Sequence, residues 1–318
     1  MRNGWLDIGR FIFAFLVVII HVPMKGGLYL YPLARCAVPF FFIVAGYFCS
    51  SKDSSSLEEP LKKNIKKWFF LWLKFTVVFF VIVTASNLYL GNILYTSHDL
   101  QTFLKEGSAP FCDMISFAGK TYGISVIWFL YSGTLAFIIL YITRKLLFKP
   151  LFAVSVFLFF LLAIFVNYET VKIPRFLYLG LPFIYIGVLL RNHNSFIFKN
   201  LKLIIPFAIF SLAACYAEFF YVIKTLGFHN VQCYWLTPFL SVSLFSLLLC
   251  LGDKFTIGVK LPTVLTLDVY IWHRFVFFIF AVTGMNNFFW GFDAIVVFVS
   301  CIAVAFIMRK TINFRKKA

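Results

Sequence analysis

Acidic side chains are scarce in this chain: 12 Asp and Glu stand against 29 Lys and Arg. Charge of either sign is thin, at 13% of residues, where a soluble domain carries about 25%. Long polar stretches are missing as well. With 62% of residues hydrophobic, no soluble domain of useful size fits between the apolar runs. These scarcities exclude an ordinary soluble fold and imply an integral membrane protein. Metal-type spacing is absent: the seven cysteines form no Cys-x-x-Cys and no ligand cluster, so no metal is expected. No internal repeat divides the chain, and a single transmembrane domain over 1–318 is expected. The net charge of +17 would suggest nucleic acid in a soluble protein. Here the cations lie between apolar runs, as in a multi-span chain, and no nucleic-acid partner is expected.

What is present is a succession of apolar runs, at roughly 5–22, 31–50, 68–90, 125–143, 150–167, 175–191, 201–224, 235–251, 263–281 and 290–308. The fold class this implies is all-α, a polytopic bundle of about ten transmembrane helices. The inner connections then hold most of the loop cations, including Lys62, Lys63, Lys66, Lys67, Arg144, Lys145, Lys149 and Arg191. The outer connections hold only Lys25, Lys105, Lys120, Lys172, Arg175 and Lys224. That bias places both termini in the cytoplasm. The first run carries Asp7 and Arg10 and has no small-residue cleavage site before Pro23, so it is expected to be retained. Segment 51–67 reads as a short amphipathic helix on the inner surface, capped near Ser55 or Ser56. Segment 91–124, with Gly107, Pro110, Gly119 and Gly123, reads as a structured or re-entrant outer loop. The 45 Phe read as bulky apolar packing. Cys112 and Cys233 fall in expected outer loops, and spacing alone does not establish a disulfide between them.

Ionisable groups inside the spans carry the chemical information, because each costs about 2.5 kcal/mol or more to insert. Arg10 and His21 share the first run. Eleven residues apart, they turn through about 1100° and fall on one face, about 16.5 Å apart along the axis. The orientation puts Arg10 near the inner side and His21 near the outer side. Arg35, Arg175, Glu218 and Trp128 are also expected on the outer side, and His273 near mid-depth, with Asp268 below it. A pair between Arg10 and Asp7, three residues apart, is the structural reading of Arg10. For Glu218 it is an ion pair with Arg35 or Arg175, and for His273 a satisfied core histidine. Trp128 is most simply an interfacial anchor.

Several short motifs run through the chain together. Arg10, ten residues, then His21 resembles the Arg-x10-His signature of the acyltransferase-3 family. Arg35-Cys-Ala-Val-Pro39-Phe-Phe-Phe42, followed by Ala45-Gly46-Tyr47-Phe48, is similar to its second-helix pattern, with Ala where Ser is usual. Trp128-Phe129-Leu130, Gly180-Leu-Pro-Phe183 with Gly187, and Tyr270-Ile-Trp-His273 resemble its later elements. Val126 and Ile127 stand where many relatives have a His, and Arg274 follows His273 where Pro is common. The resemblance implies a bacterial plasma-membrane enzyme moving an acyl group, usually acetyl, from cytoplasmic acyl-CoA to a surface or lipid-linked glycan. It implies that His21 is the essential histidine, with Arg10 its signature partner and Arg35 a second site residue.

On this reading the expected catalytic residues are His21 as general base or acyl relay, Arg35 stabilising an oxyanion, and Glu218 orienting His21. Arg10, His273, Lys62 and Lys63 are expected along the acetyl-CoA path, and Trp128 and Arg175 at the acceptor. A column of polar groups through a helical bundle also fits a transporter or exporter of a glycan or small metabolite. The inverted halves and paired broken helices of such transporters are not evident. A non-catalytic partner in an envelope assembly is the third reading.

Overall fold

A computed structural model describes residues 3–50, 57–90, 128–168, 176–227, 233–255 and 263–315. Among these residues it is helical, with no strand. The helices are α1 (Gly4–His21), α2 (Tyr31–Arg35), α3 (Ala37–Cys49), α4 (Glu58–Leu90), α5 (Trp128–Ile142), α6 (Pro150–Tyr168), α7 (Leu181–Asn192), α8 (Asn194–Lys199), α9 (Leu201–Leu226), α10 (Thr237–Lys254), α11 (Thr263–Val282) and α12 (Asp293–Arg315). Short 3-10 turns at Gly27–Leu30 and Met285–Phe288 and a π-turn at Phe176–Gly180 complete the order. Gly4–His21, Gly27–Cys49, Leu201–Thr225 and Thr237–Lys254 are long and apolar enough to cross a membrane. Segment 91–124, with Cys112, lies outside the described residues, whereas Cys233 is a buried free thiol.

Two differences from the sequence pattern have local causes. The run 31–50 is broken into α2 and α3 at Cys36. Pro39 has no N–H to reach the Arg35 carbonyl four residues back, so the helix steps at that point. Conversely, among the described residues no separate surface helix precedes the third run: α4 is continuous over 33 residues, and the expected caps Ser55 and Ser56 lie outside the described residues. Leu61, Trp68, Phe75 and Phe79 are buried and recur at helical spacing across the expected boundary, and no Gly or Pro interrupts them.

The chain forms two compact units, 1–41 with 194–318, and 42–193. In the first, α1 packs against α2, α10, α11 and α12. Its N-terminus is tied down by one side chain. Asn3 Oδ1 accepts from the Leu6 N–H at 3.1 Å, and its Nδ2 donates to the Leu249 carbonyl at 3.2 Å. Gly252 lets Asn3 approach, since a Cβ there would collide with the amide. The Trp5 indole donates to the Phe255 carbonyl at 2.9 Å. Phe13 stacks on Phe40 at 4.2 Å, and Phe40 meets Phe245. Between α11 and α12, Arg309 holds Asp268, with Nη2 at 2.6 Å and Nε at 3.1 Å from the same oxygen.

In the second unit α4 packs on α5, and α5 and α6 on α7. The Trp68 indole lies over Gly133, where any Cβ would strike the ring, and meets Phe42 and Phe129. The segment from Ile43 to Tyr47 crosses α7 at Gly187, with Gly46 against the Ile184 carbonyl. Small residues at a crossing let two backbones close on one another, the usual device where lipid offers no hydrophobic drive between helices. Gly46→Leu is therefore expected to lower the stability of this unit by roughly 3 kcal/mol. Gly227→Ala has open space around it but a backbone at φ 71°, ψ −174° that is essentially reserved for glycine, and is expected to cost about 2 kcal/mol through backbone strain alone. Thermal unfolding in detergent compares the two.

Candidate active site

His21 closes α1 and is half-buried. Its ring lies 5.3 Å from that of His273 on α11, with the planes 27° apart. Residues 252 positions apart in sequence are thus brought face to face, both within the first unit. His273 is fully buried. Its Nδ1 faces the Val269 carbonyl at 3.2 Å and the Tyr270 carbonyl at 2.8 Å. Carbonyls only accept, so Nδ1 carries the proton, and in the neutral ring Nε2 is the acceptor. Nε2 is buried without a hydrogen-bond partner among the described residues. With Nδ1 turned to the two carbonyls and Nε2 without a partner among the described residues, neither ring nitrogen of His273 bonds to His21. The arrangement is a stacked pair, with His273 a fixed wall behind the more accessible His21, and not a hydrogen-bonded relay.

Arg10 sits below on α1. It pairs with the buried Asp7 at 3.0 Å, so its charge is compensated within its own helix. Arg35 ends α2 and is buried, its guanidinium 5.6 Å over the Tyr31 ring. Glu218 on α9 reaches the turn entering α10. Its two oxygens accept the Trp235 N–H at 2.7 Å and the Leu236 N–H at 3.0 Å. The Thr237 hydroxyl accepts the Tyr234 N–H at 3.0 Å in the same turn. Burial pushes the Tyr234 phenol up to about 12, while Arg35 lowers it and Glu218 raises it. Arg35 and Glu218 therefore act on one neighbourhood.

The remaining candidates lie in the second unit or outside the description. Trp128 begins α5 and is half-buried. Lys62 pairs with Glu58 at 2.8 Å and Glu59 at 3.2 Å. Glu58 also receives Arg144 at 3.2 Å and the Tyr141 hydroxyl at 3.4 Å. Its hydrogen bond with Lys62 holds the Glu58 carboxyl below its ordinary value and raises the Lys62 ammonium, so both stay ionised at neutral pH. Lys63 is exposed. Arg175 lies outside the described residues.

Sequence reasoning did not name Val269 and Tyr270 as the carbonyls that fix His273, or Tyr31 as the ring under Arg35. The first was available in principle, since a helical His turns its ring back over positions i−3 and i−4. Nor did it anticipate the backbone donors on Glu218, which depend on how the loop folds after α9.

The family model described as an acyltransferase domain, acyltransferase-3, matches residues 3–309. No curated protein and no solved structure matches the chain.

Glu218→Ala leaves two partly buried N–H groups without their charged acceptor. A loss of about 2 kcal/mol in stability is expected, with Glu218→Gln recovering part of it. Thermal unfolding of the purified variants checks both.

Proposed function

We propose, from the premise that this chain belongs to the acyltransferase-3 family, that it is a membrane O-acyltransferase using acetyl-CoA and acylating a hydroxyl of a cell-surface or lipid-linked glycan. The observation that carries this reading is the half-buried His21 backed by the fully buried His273 at the end of the first apolar helix. A base must be reachable by substrate and yet held in one orientation, and a ring stacked on a locked neighbour meets both needs. In the proposed topology ten spans lie in the bacterial plasma membrane with both termini cytoplasmic.

The proposed reaction is balanced on His21. A ring nitrogen takes the proton from the acceptor hydroxyl as its oxygen attacks the thioester carbonyl. The tetrahedral oxyanion collapses, the C–S bond breaks, and the imidazolium returns the proton to the departing thiolate. Arg35 supplies positive charge near the oxyanion. Arg10, partly neutralised by Asp7, lies on the donor side, and a contact to the CoA phosphates has to compete with that pair. Glu218 acts on the site through the turn it holds and is assigned a positioning role. His273 is likewise a positioning residue. Trp128 and Arg175 remain proposed acceptor contacts.

The test is transfer of label from radiolabelled acetyl-CoA into the lipid and glycan fraction of membranes carrying the protein. His21→Ala is expected to lower transfer by roughly a hundredfold or more at equal protein level. Equal label in both would remove His21 from the chemistry, and glycan movement independent of acetyl-CoA would favour an exporter. His273→Phe keeps the ring wall and His273→Ala removes it. A positioning role predicts that kcat falls more for Ala than for Phe with KM for acetyl-CoA little changed, whereas a donor contact predicts a raised KM in both.

A further inference from the structure

Helix α4 is too long for a membrane. Its 33 residues extend about 50 Å at about 1.5 Å per residue, against about 30 Å of hydrocarbon. Taken as the third expected span, α4 leaves its charged N-terminal turns, which hold Glu58, Glu59, Lys62 and Lys63, as the part that stands in the headgroup region. Lys63, Lys66, Lys67, Phe70, Lys74, Val77 and Val81 are all exposed. At about 100° per residue they fall within an arc of about 100° on one side of the helix. Leu61, Trp68, Phe75 and Phe79, on the opposite side, are buried. The exposed face is thus a cationic end followed, without a change of side, by an apolar strip.

The carboxylates near this helix are already engaged elsewhere. Glu58 and Glu59 hold Lys62, which lies beside the stripe. Among the described residues no carboxylate is within ion-pair distance of Lys63, Lys66, Lys67 or Lys74. Lys74 is the second, independent observation. It is seven residues, about 10.5 Å, beyond Lys67, and it is flanked on the exposed face by Phe70 and Val77. Its ammonium lies 5.5 Å over the Phe75 ring, a contact worth about 1 kcal/mol, which does not offset the cost of a cation on a lipid-facing apolar strip unless its stem also carries the charge toward an anion at the interface.

We propose that this face of α4 is a binding site for an anionic phospholipid. The headgroup phosphate sits among Lys63, Lys66 and Lys67, with Lys74 reaching it from below, and the acyl chains run along Phe70, Val77 and Val81. The shape of the surface selects the occupant. A free phosphate or a nucleotide would use the cations and leave the apolar strip unused, whereas a phospholipid matches both parts in the order in which they occur. The reading needs only a bilayer and is independent of the reaction proposed above.

The test uses the full chain in mild detergent, with phosphatidylglycerol or phosphatidylcholine added in mixed micelles and bound lipid counted by native mass spectrometry. Wild type is expected to retain phosphatidylglycerol in preference to phosphatidylcholine. The K63Q/K66Q/K67Q/K74Q variant is expected to lose that preference by roughly tenfold or more. K145Q/K149Q, which removes two exposed lysines outside the stripe, is expected to keep it. If the quadruple variant does not fold, K67Q and K74Q measured singly must each weaken retention. Equal retention of the two lipids by wild type overturns the proposal, as does unchanged retention by the stripe variants. Displacement of phosphatidylglycerol by millimolar inorganic phosphate would also overturn it, marking a site for the free anion.

Discussion

An ion inside a bilayer must find its counter-charge or hydrogen-bond partner within the protein, and the first unit is arranged around that requirement. Asp7 answers Arg10 on the same helix, and Arg309 answers Asp268 across a helical pair. Glu218 is satisfied by two backbone N–H groups, and Arg35 lies over a tyrosine ring. Each solution differs in reach. The Arg10–Asp7 and Arg35–Tyr31 contacts are local, each within one helix, whereas the other two join separate segments of the chain. Removing one partner of such a pair is far more damaging than the pair itself is stabilising, because it leaves an unmatched charge in a poor solvent. The polar column is therefore a set of constraints on where the helices sit as well as a set of chemical groups.

The stacked imidazoles answer this requirement differently. His273 has one nitrogen fully committed to its own helix and the other buried without a partner. A group spent in this way adds little to stability, and unsatisfied buried polar atoms in native proteins call for a functional reason. In the function proposed above, holding a second imidazole in a single plane is such a reason.

How much of this was legible beforehand follows from the range of each interaction. The Arg10–Asp7 pair could be read at once, because three residues on a helix are neighbours. The apolar runs located the helices, since hydropathy is a local property. The break at Cys36 was written in Pro39 but was masked by the surrounding aromatic residues. The pairing of His21 with His273 was not legible as geometry, because nothing in either segment specifies that α1 meets α11. Glu218 shows the limit most plainly. Its carboxylate suggested a role in orienting His21, and the two N–H groups that it accepts belong to a turn with no sequence signature. The acyltransferase motifs, by contrast, were legible end to end, and the family match over residues 3–309 spans the stretch in which they lie.

The position of α1 has a consequence for synthesis. It is made first, yet α10, α11 and α12, against which it packs, are made last. For most of translation this helix resides in the membrane without them, carrying a cation and a histidine. Its built-in Asp7 makes that wait tolerable, since the arginine arrives already neutralised. The 42–193 unit is continuous in sequence and can assemble during the interval. Maturation then ends with the C-terminal helices closing on the N-terminal one, a long-range step of the kind that sets folding rates. His21 thus waits through the synthesis of about 250 residues before α11 can bring His273 beside it.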